Sequence, residues 1–116
     1  MPFRHILYDL WLADAAILER TGPIEEILLE AARVSGAVVL HSHFHQFDPH
    51  GVTGVVLIAQ SHLSIHTWSE DNYAAVDVFT YSHMDPEAAI AHIRERLRPV
   101  RERVTDLKRG SLLPAE

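Results

Sequence analysis

The sequence predicts an α+β fold, a two-layer sandwich in which a mostly antiparallel sheet carries two helices on one face. Three observations lead there. Residues 41–47 and 63–68 sort their side chains into two alternating sets, the period of a strand. Two other segments space apolar residues at helical intervals behind helix-start signals. The order strand, helix, strand, strand, then strand, strand, helix, strand divides the chain into two similar halves, each giving one helix to the sheet. With 116 residues, 47% of them apolar and 22% charged, one domain spanning residues 1–116 can bury its own core.

The first strand is expected over residues 4–11, with Ile6, Tyr8 and Leu10 on one face and Leu7 and Trp11 on the other. Thr21-Gly-Pro23 then signals a helix start, with Pro23 in the first turn and Glu25 and Glu26 placed to meet the positive end of the dipole. Ile24, Ile27, Leu28, Ala31 and Ala32 form its apolar stripe, and Gly36 ends it. Residues 37–47 form a second strand, with His41, His43, His45 and Phe47 pointing one way and Ser42, Phe44 and Gln46 the other. Asp48-Pro-His-Gly51 is a turn, and residues 52–59 read as a strand buried on both faces. Leu63, Ile65 and Thr67 alternate with Ser64, His66 and Trp68 in a fourth strand, closed by the polar run 69–72. A fifth strand covers 73–81. Asp85-Pro86-Glu87 supplies an N-cap, a first-turn proline and an acid for a helix striped by Ala89, Ile90, Ile93 and Leu97 and stopped at Pro99. The charged segment 100–107 fits an edge strand, and 110–116 a tail.

Composition narrows the function. Ten Lys and Arg against sixteen Asp and Glu give a net charge of -6, which argues against nucleic acid or an anionic membrane as partner. The absence of cysteine removes disulfides, thiolate zinc sites and cysteine nucleophiles. Asp9 and Asp14 interrupt the apolar N-terminal segment, so no signal peptide is read, and no apolar run approaches the roughly 20 residues that span a bilayer. A cytoplasmic protein is expected.

Thr53, Ser61 and His66 supply two hydroxyls and an imidazole, the groups needed to attack a backbone carbonyl and then move protons. Ser61 with His62 and His66 does not suit a conventional hydrolase, whose serine sits in a strained turn before a helix; here strand pattern continues on both sides. His41, His43 and His45 share one strand face and could ligate a metal, but apart from Asp48 no carboxylate accompanies them, so a solvated histidine row is the simpler reading and no metal is assigned. Phe47, between the histidine face and the turn, suits core packing or stacking on a ligand.

Five ordered motifs carry a resemblance: His43-Phe-His-Gln-Phe47, Gly51-Val-Thr-Gly-Val-Val, Ser61-His-Leu-Ser-Ile-His-Thr-Trp68, Tyr73-Ala-Ala-Val-Asp-Val-Phe-Thr80 and Asp85-Pro86. From about residue 4 to 110 the chain resembles the short prokaryotic S-adenosylmethionine decarboxylase proenzymes. The resemblance implies self-cleavage between Gln60 and Ser61 into chains 1–60 and 61–116, with Ser61 becoming a pyruvoyl group, a pyruvate-derived cofactor that forms a Schiff base with the substrate amine. It implies that Thr53 supplies a hydroxyl and His66 a proton acceptor for processing, that Phe47 stacks on adenine, and that Glu70 accepts hydrogen bonds from the ribose. It also implies a homodimer in which two sheets face each other with the helices outside (αββα).

Four positions depart from the family pattern. Its usual Glu before the cleaved serine is Gln60, the Pro of its His-Thr-Trp-Pro-Glu run is Ser69, the Gly before Arg4-His5 is Phe3, and Tyr81 occupies the place of its catalytic cysteine. A phenol, with a reference pKa near 10 against about 8.5 for a thiol, can still donate the proton that the family takes from its cysteine. Three functions follow. The first is decarboxylation of S-adenosylmethionine for spermidine synthesis. The second is decarboxylation of ornithine or arginine, with Tyr81 shortening the pocket and Asp48 pairing with a cationic side chain, although Asp48 also suits a plain turn before Pro49. The third is an unprocessed partner or regulator without catalysis.

Overall fold

The computed structural model describes residues 3–81 and 83–111. Strands β1 (Phe3–Trp11), β2 (Val39–Gln46), β3 (Val52–Ile58), β4 (Ser61–Trp68), β5 (Tyr73–Thr80) and β6 (Arg101–Arg109) form a single sheet in the order β2-β3-β4-β5-β1-β6, antiparallel at every junction. Helices α1 (Thr21–Val34) and α2 (Pro86–Leu97) join the predicted strands in the predicted order. Short 3₁₀ turns at Ala15–Leu18 and Ser69–Asp71 have no counterpart in the expectations.

The core lies between the helices and one face of the sheet. Ile24, Ile27, Leu28, Ala31 and Ala32 of α1 and Ala89, Ile90, Ile93 and Leu97 of α2 are buried with Ile6, Tyr8 and Leu10 of β1, Leu63 and Ile65 of β4, and Val76 and Val78 of β5. Each large aliphatic side chain so buried contributes about 1.5–3 kcal/mol relative to exposure. Gly54 is needed for this packing: a Cβ there would lie 2.0 Å from the ring of Phe44, which crosses β3 at its paired position.

Two expectations are corrected. Helix α1 begins at Thr21, so Glu25 and Glu26 lie beyond its first turn. The start is fixed from a distance, because the Thr21 amide donates to Gln46 Oε1 at 2.9 Å from the end of β2. Glu25 instead accepts from Ser42, and Glu26 pairs with Arg96 of α2. Strand β3 is buried on the helix side only; Leu57 on its other face is 44% exposed. Its continuous apolar run reflects a second face that this chain's own helices leave open. The tail expected from residue 110 lies outside the described residues beyond Ser111.

That open face is rich in polar and aromatic groups. Trp11, Tyr73 and Trp68 stack in a row across β1, β5 and β4, with centroids 5.3 and 5.4 Å apart. The Tyr73 hydroxyl donates to Asp9. Desolvation, then this hydrogen bond, pushes the Tyr73 phenol up from 10.0 to about 12. The unfolded chain therefore releases that proton first as pH rises. The stability Tyr73 contributes is fully present below pH 10 and disappears as pH climbs through about 12. Urea midpoints measured from pH 9 to 12 should fall more steeply for the wild type than for Tyr73→Phe; parallel curves would contradict the assignment.

On the helix side, Arg4 of β1 binds both Glu87 of α2 and Asp106 of β6, and Arg94 of α2 holds Glu102 of β6 at 3.0 Å beside the buried Tyr8. Hydrogen bonding to Arg4 lowers the Glu87 pKa, and hydrogen bonding to Tyr8 and Arg94 lowers that of Glu102. Among the described residues no helix is long and apolar enough to cross a membrane.

Candidate active site

At one end of the β3–β4 hairpin a cavity of about 320 Å³ is lined by Phe47, His50, Gly51, Thr53, His66, Thr67, Trp68 and Glu70. Its floor follows from strand register. Thr53 and His66 are directly paired on adjacent strands and project from the open face, and Thr53 Oγ1 lies 3.0 Å from His66 Nδ1. The hydroxyl fixes the imidazole orientation, and His66 Nε2 makes no hydrogen bond among the described residues.

The rim is built by hydrogen bonds that reach across the fold. Gly51, at φ 112, turns the chain back so that the Phe47 amide meets its carbonyl at 2.9 Å. Gln46 Nε2 lies 2.8, 3.0 and 3.1 Å from the carbonyls of Glu19, Phe47 and Gly51. The buried Thr67 hydroxyl accepts from the Val52 amide and donates to the Leu18 carbonyl. Phe47 is thereby held at the cavity mouth, 46% exposed, its ring edge-to-face with His45 at 4.7 Å. An exposed ring on so well tied a backbone offers a fixed aromatic face at the cavity. Glu70 enters from the 3₁₀ turn after β4.

Ser61 stands apart. It opens β4, and five residues of strand at about 3.3 Å each separate it from His66 by about 16 Å. Its hydroxyl donates to the Phe79 carbonyl. Gln60 before it is held at φ 69, a left-handed conformation that costs a residue with a Cβ about 1–2 kcal/mol. Tyr81 directly follows β5; extending the His62↔Phe79 register by two residues sets it opposite Gln60.

Around this second end the open face carries a connected network. The Arg109 guanidinium lies 4.7 Å over the Phe79 ring, and its Nη1 is 3.1 Å from His5 Nδ1. A guanidinium only donates, so His5 Nδ1 accepts and its Nε2 carries the proton given to Asp77 at 2.9 Å. Ser64 donates to the other Asp77 oxygen at 3.1 Å.

The structure thus gathers Phe47, Thr53, His66 and Glu70 in one cavity and places Gln60, Ser61 and Tyr81 at the opposite end of the hairpin. Asp48 is exposed in the turn, outside the cavity lining. His41, His43 and His45 are exposed on β2, and among the described residues no group of three or more acidic, histidine or cysteine side chains is placed to hold a metal. A larger open depression of about 540 Å³ at the β1–β6 corner is lined by Trp11, Val100, Arg101, Glu102 and Arg103 and contains none of the predicted catalytic residues. His50, Thr67 and Trp68 are cavity residues that sequence reasoning did not single out; the turn motif around His50 and the departure at Ser69 were the available signals.

Similarity to known proteins extends over nearly the whole chain. The family described as S-adenosylmethionine decarboxylase matches residues 4–110. An S-adenosylmethionine decarboxylase proenzyme of Methanococcus aeolicus is 42% identical over 111 residues, 95% of each chain. One of Acetivibrio thermocellus is 47% identical over 108 residues, 92% of this chain and 87% of that protein. The crystal structure of the adenosylmethionine decarboxylase from Aquifex aeolicus superposes with a TM-score of 0.88 at 40% identity, covering 99% of this chain and 96% of that one. With the family matching residues 4–110 and relatives 42% and 47% identical over more than nine-tenths of this chain, the chain belongs to the S-adenosylmethionine decarboxylase family.

Proposed function

We propose that the chain is a proenzyme that cleaves itself between Gln60 and Ser61 and then decarboxylates S-adenosylmethionine. The observation that carries this reading is the hydrogen-bonded Thr53–His66 pair inside a cavity bounded by an exposed aromatic ring and a carboxylate. Phe47 offers a face to adenine and Glu70 accepts from the ribose hydroxyls, while a volume of about 320 Å³ suits a nucleoside.

Ser61 fits its role as the source of the pyruvoyl group, because its hydroxyl is ordered on the Phe79 carbonyl directly after a strained residue. Ser61 Oγ attacks the Gln60 carbonyl carbon, the C–N bond breaks, and Gln60 is held as an ester on the serine. Loss of the Ser61 α-proton expels the Gln60 carboxylate and leaves dehydroalanine, whose hydrolysis releases ammonia. His66 accepts a proton in this sequence and Thr53 fixes its ring. Cleavage also releases the left-handed strain at Gln60. A pyruvoyl group at position 61 supplies an electron sink for decarboxylation.

A serine about 16 Å from the histidine that serves it cannot be served within one chain. The working unit of this proposal is a homodimer with open faces apposed. A two-fold axis running across the strands sets the Ser61 end of one chain over the Thr53–His66 end of the other, giving two composite sites. Exposed Phe3, Leu57, Trp68 and Leu107 on that face supply apolar surface for such a contact. Tyr81, next to Gln60 by register, is the proton donor to the substrate α-carbon after loss of carbon dioxide.

The test compares carbon dioxide release from carboxyl-labelled S-adenosylmethionine, ornithine and arginine. Release from S-adenosylmethionine alone is expected, in keeping with the exclusion of Asp48 from the cavity lining; release from a basic amino acid alone would transfer the assignment. In the same assay Tyr81→Phe should lower turnover by about 10²-fold and shorten the active lifetime. Unchanged kinetics would remove Tyr81 from the mechanism.

A further inference from the structure

We propose that His50 and Ser69 form a positioning pair that sets Glu70 for the vicinal hydroxyls of a nucleoside ribose, an inference that rests on the nucleoside-substrate reading above. Ser69 is only 7% exposed, and its hydroxyl meets His50 Nδ1 at 2.6 Å. The same Nδ1 lies 4.0 Å from Glu70 Oε1. One imidazole therefore contacts both the residue that anchors it and the carboxylate beside it.

The two partners come from different turns beside the cavity, of which His50 and Glu70 are lining residues. His50 belongs to the turn between β2 and β3 that also carries Phe47, whereas Ser69 and Glu70 belong to the 3₁₀ turn that follows β4. That second turn is short, closed by the Asn72 amide on the Ser69 carbonyl at 3.1 Å with Asn72 at φ 54. Backbone bonds fix where the turn sits. They do not fix the Glu70 side chain, which is 59% exposed and makes no hydrogen bond among the described residues. A free glutamate spreads over several rotamers, and ordering it on binding weakens the complex.

The His50–Ser69 link narrows that freedom from one side. An imidazole held through Nδ1 by a buried hydroxyl forms a fixed wall, and a carboxylate 4.0 Å from it has fewer rotamers to occupy. His50 Nε2 has no hydrogen-bond partner among the described residues, so Nδ1 carries the ring's connection to the fold. Position 69 is one of the four departures from the family pattern. A proline has no hydroxyl for an imidazole, so the serine gives this chain a connection that a proline could not make.

Calorimetric titration of the full chain with 5′-methylthioadenosine and with its 2′,3′-dideoxy analogue tests the pair without depending on pyruvoyl formation. His50→Ala and Ser69→Ala should each weaken binding of the diol nucleoside about tenfold. The double variant should lose no more than either single one, because the two residues act as one unit. His50→Asn, whose short amide can still reach the Ser69 hydroxyl, should recover most of the affinity. The dideoxy analogue, lacking the groups Glu70 accepts from, should bind wild type and variants alike. Equal losses with both nucleosides, additive losses, or unchanged affinity for the diol would overturn the positioning role and leave the nucleoside reading standing. Failure of the wild type to bind either nucleoside would overturn that reading and this inference with it.

Discussion

Ser61→Ala is expected to remain a single 13.1 kDa chain and to release no carbon dioxide from S-adenosylmethionine. The effect should be complete, because the hydroxyl is both the nucleophile for cleavage and the precursor of the electron sink, and no neighbouring group can replace it in both roles. The fold should survive. The lost side-chain hydrogen bond to the Phe79 carbonyl is worth about 1 kcal/mol, and the backbone ladder from Ile58 to Thr53 opposite β4 does not involve it. His66→Ala should also stay uncleaved over times in which the wild type matures, since removing the proton acceptor slows such steps by about 10²–10⁴-fold. Cleavage of Ser61→Ala at the same bond, seen as two fragments by mass, would remove Ser61 from the account.

Co-expression of those two inactive chains should restore cleavage to one of them. In a hybrid dimer, one of the two composite sites combines Ser61 of the His66→Ala chain with His66 of the Ser61→Ala chain, and is intact. The His66→Ala chain should then be split and the Ser61→Ala chain should not. With random assortment, about half of all dimers are hybrids, which makes the signal large. If both residues acted within a single chain, no mixture would be cleaved. The about 16 Å that separate them along β4 favour the first outcome.

Most of the architecture was legible because local chemistry and burial agree. Asp85-Pro86-Glu87 states the start of α2 outright, and the Asp85 carboxylate does accept from the Ala88 amide. Alternation placed His41, His43 and His45 on the open face and Phe44 and Gln46 toward the helix side. The start of α1 was legible at Thr21-Gly-Pro23, but the partner of its first amide was not, because Gln46 lies 25 positions away and no local pattern encodes that bond. The second face of β3 was misread for a related reason. A run such as Val55-Val-Leu-Ile58 reports that a strand wants cover on both sides and not which chain supplies it.

For the site, residue types were legible and their grouping was not. Thr53 and His66 meet through hairpin register, which the turn at Ala59–Gln60 sets. Ser61 and His66 are close in sequence, yet an extended strand carries them to opposite ends of the sheet. The His50–Ser69 contact joins two turns nineteen positions apart and leaves no periodic trace.

Intact mass of the purified wild-type chain tests the central claim most directly. Two species are expected, residues 1–60 and residues 61–116, the second carrying a pyruvoyl group in place of its N-terminal serine and therefore lacking a free α-amine. A single persistent species of 13.1 kDa with its Gln60–Ser61 bond intact would contradict it.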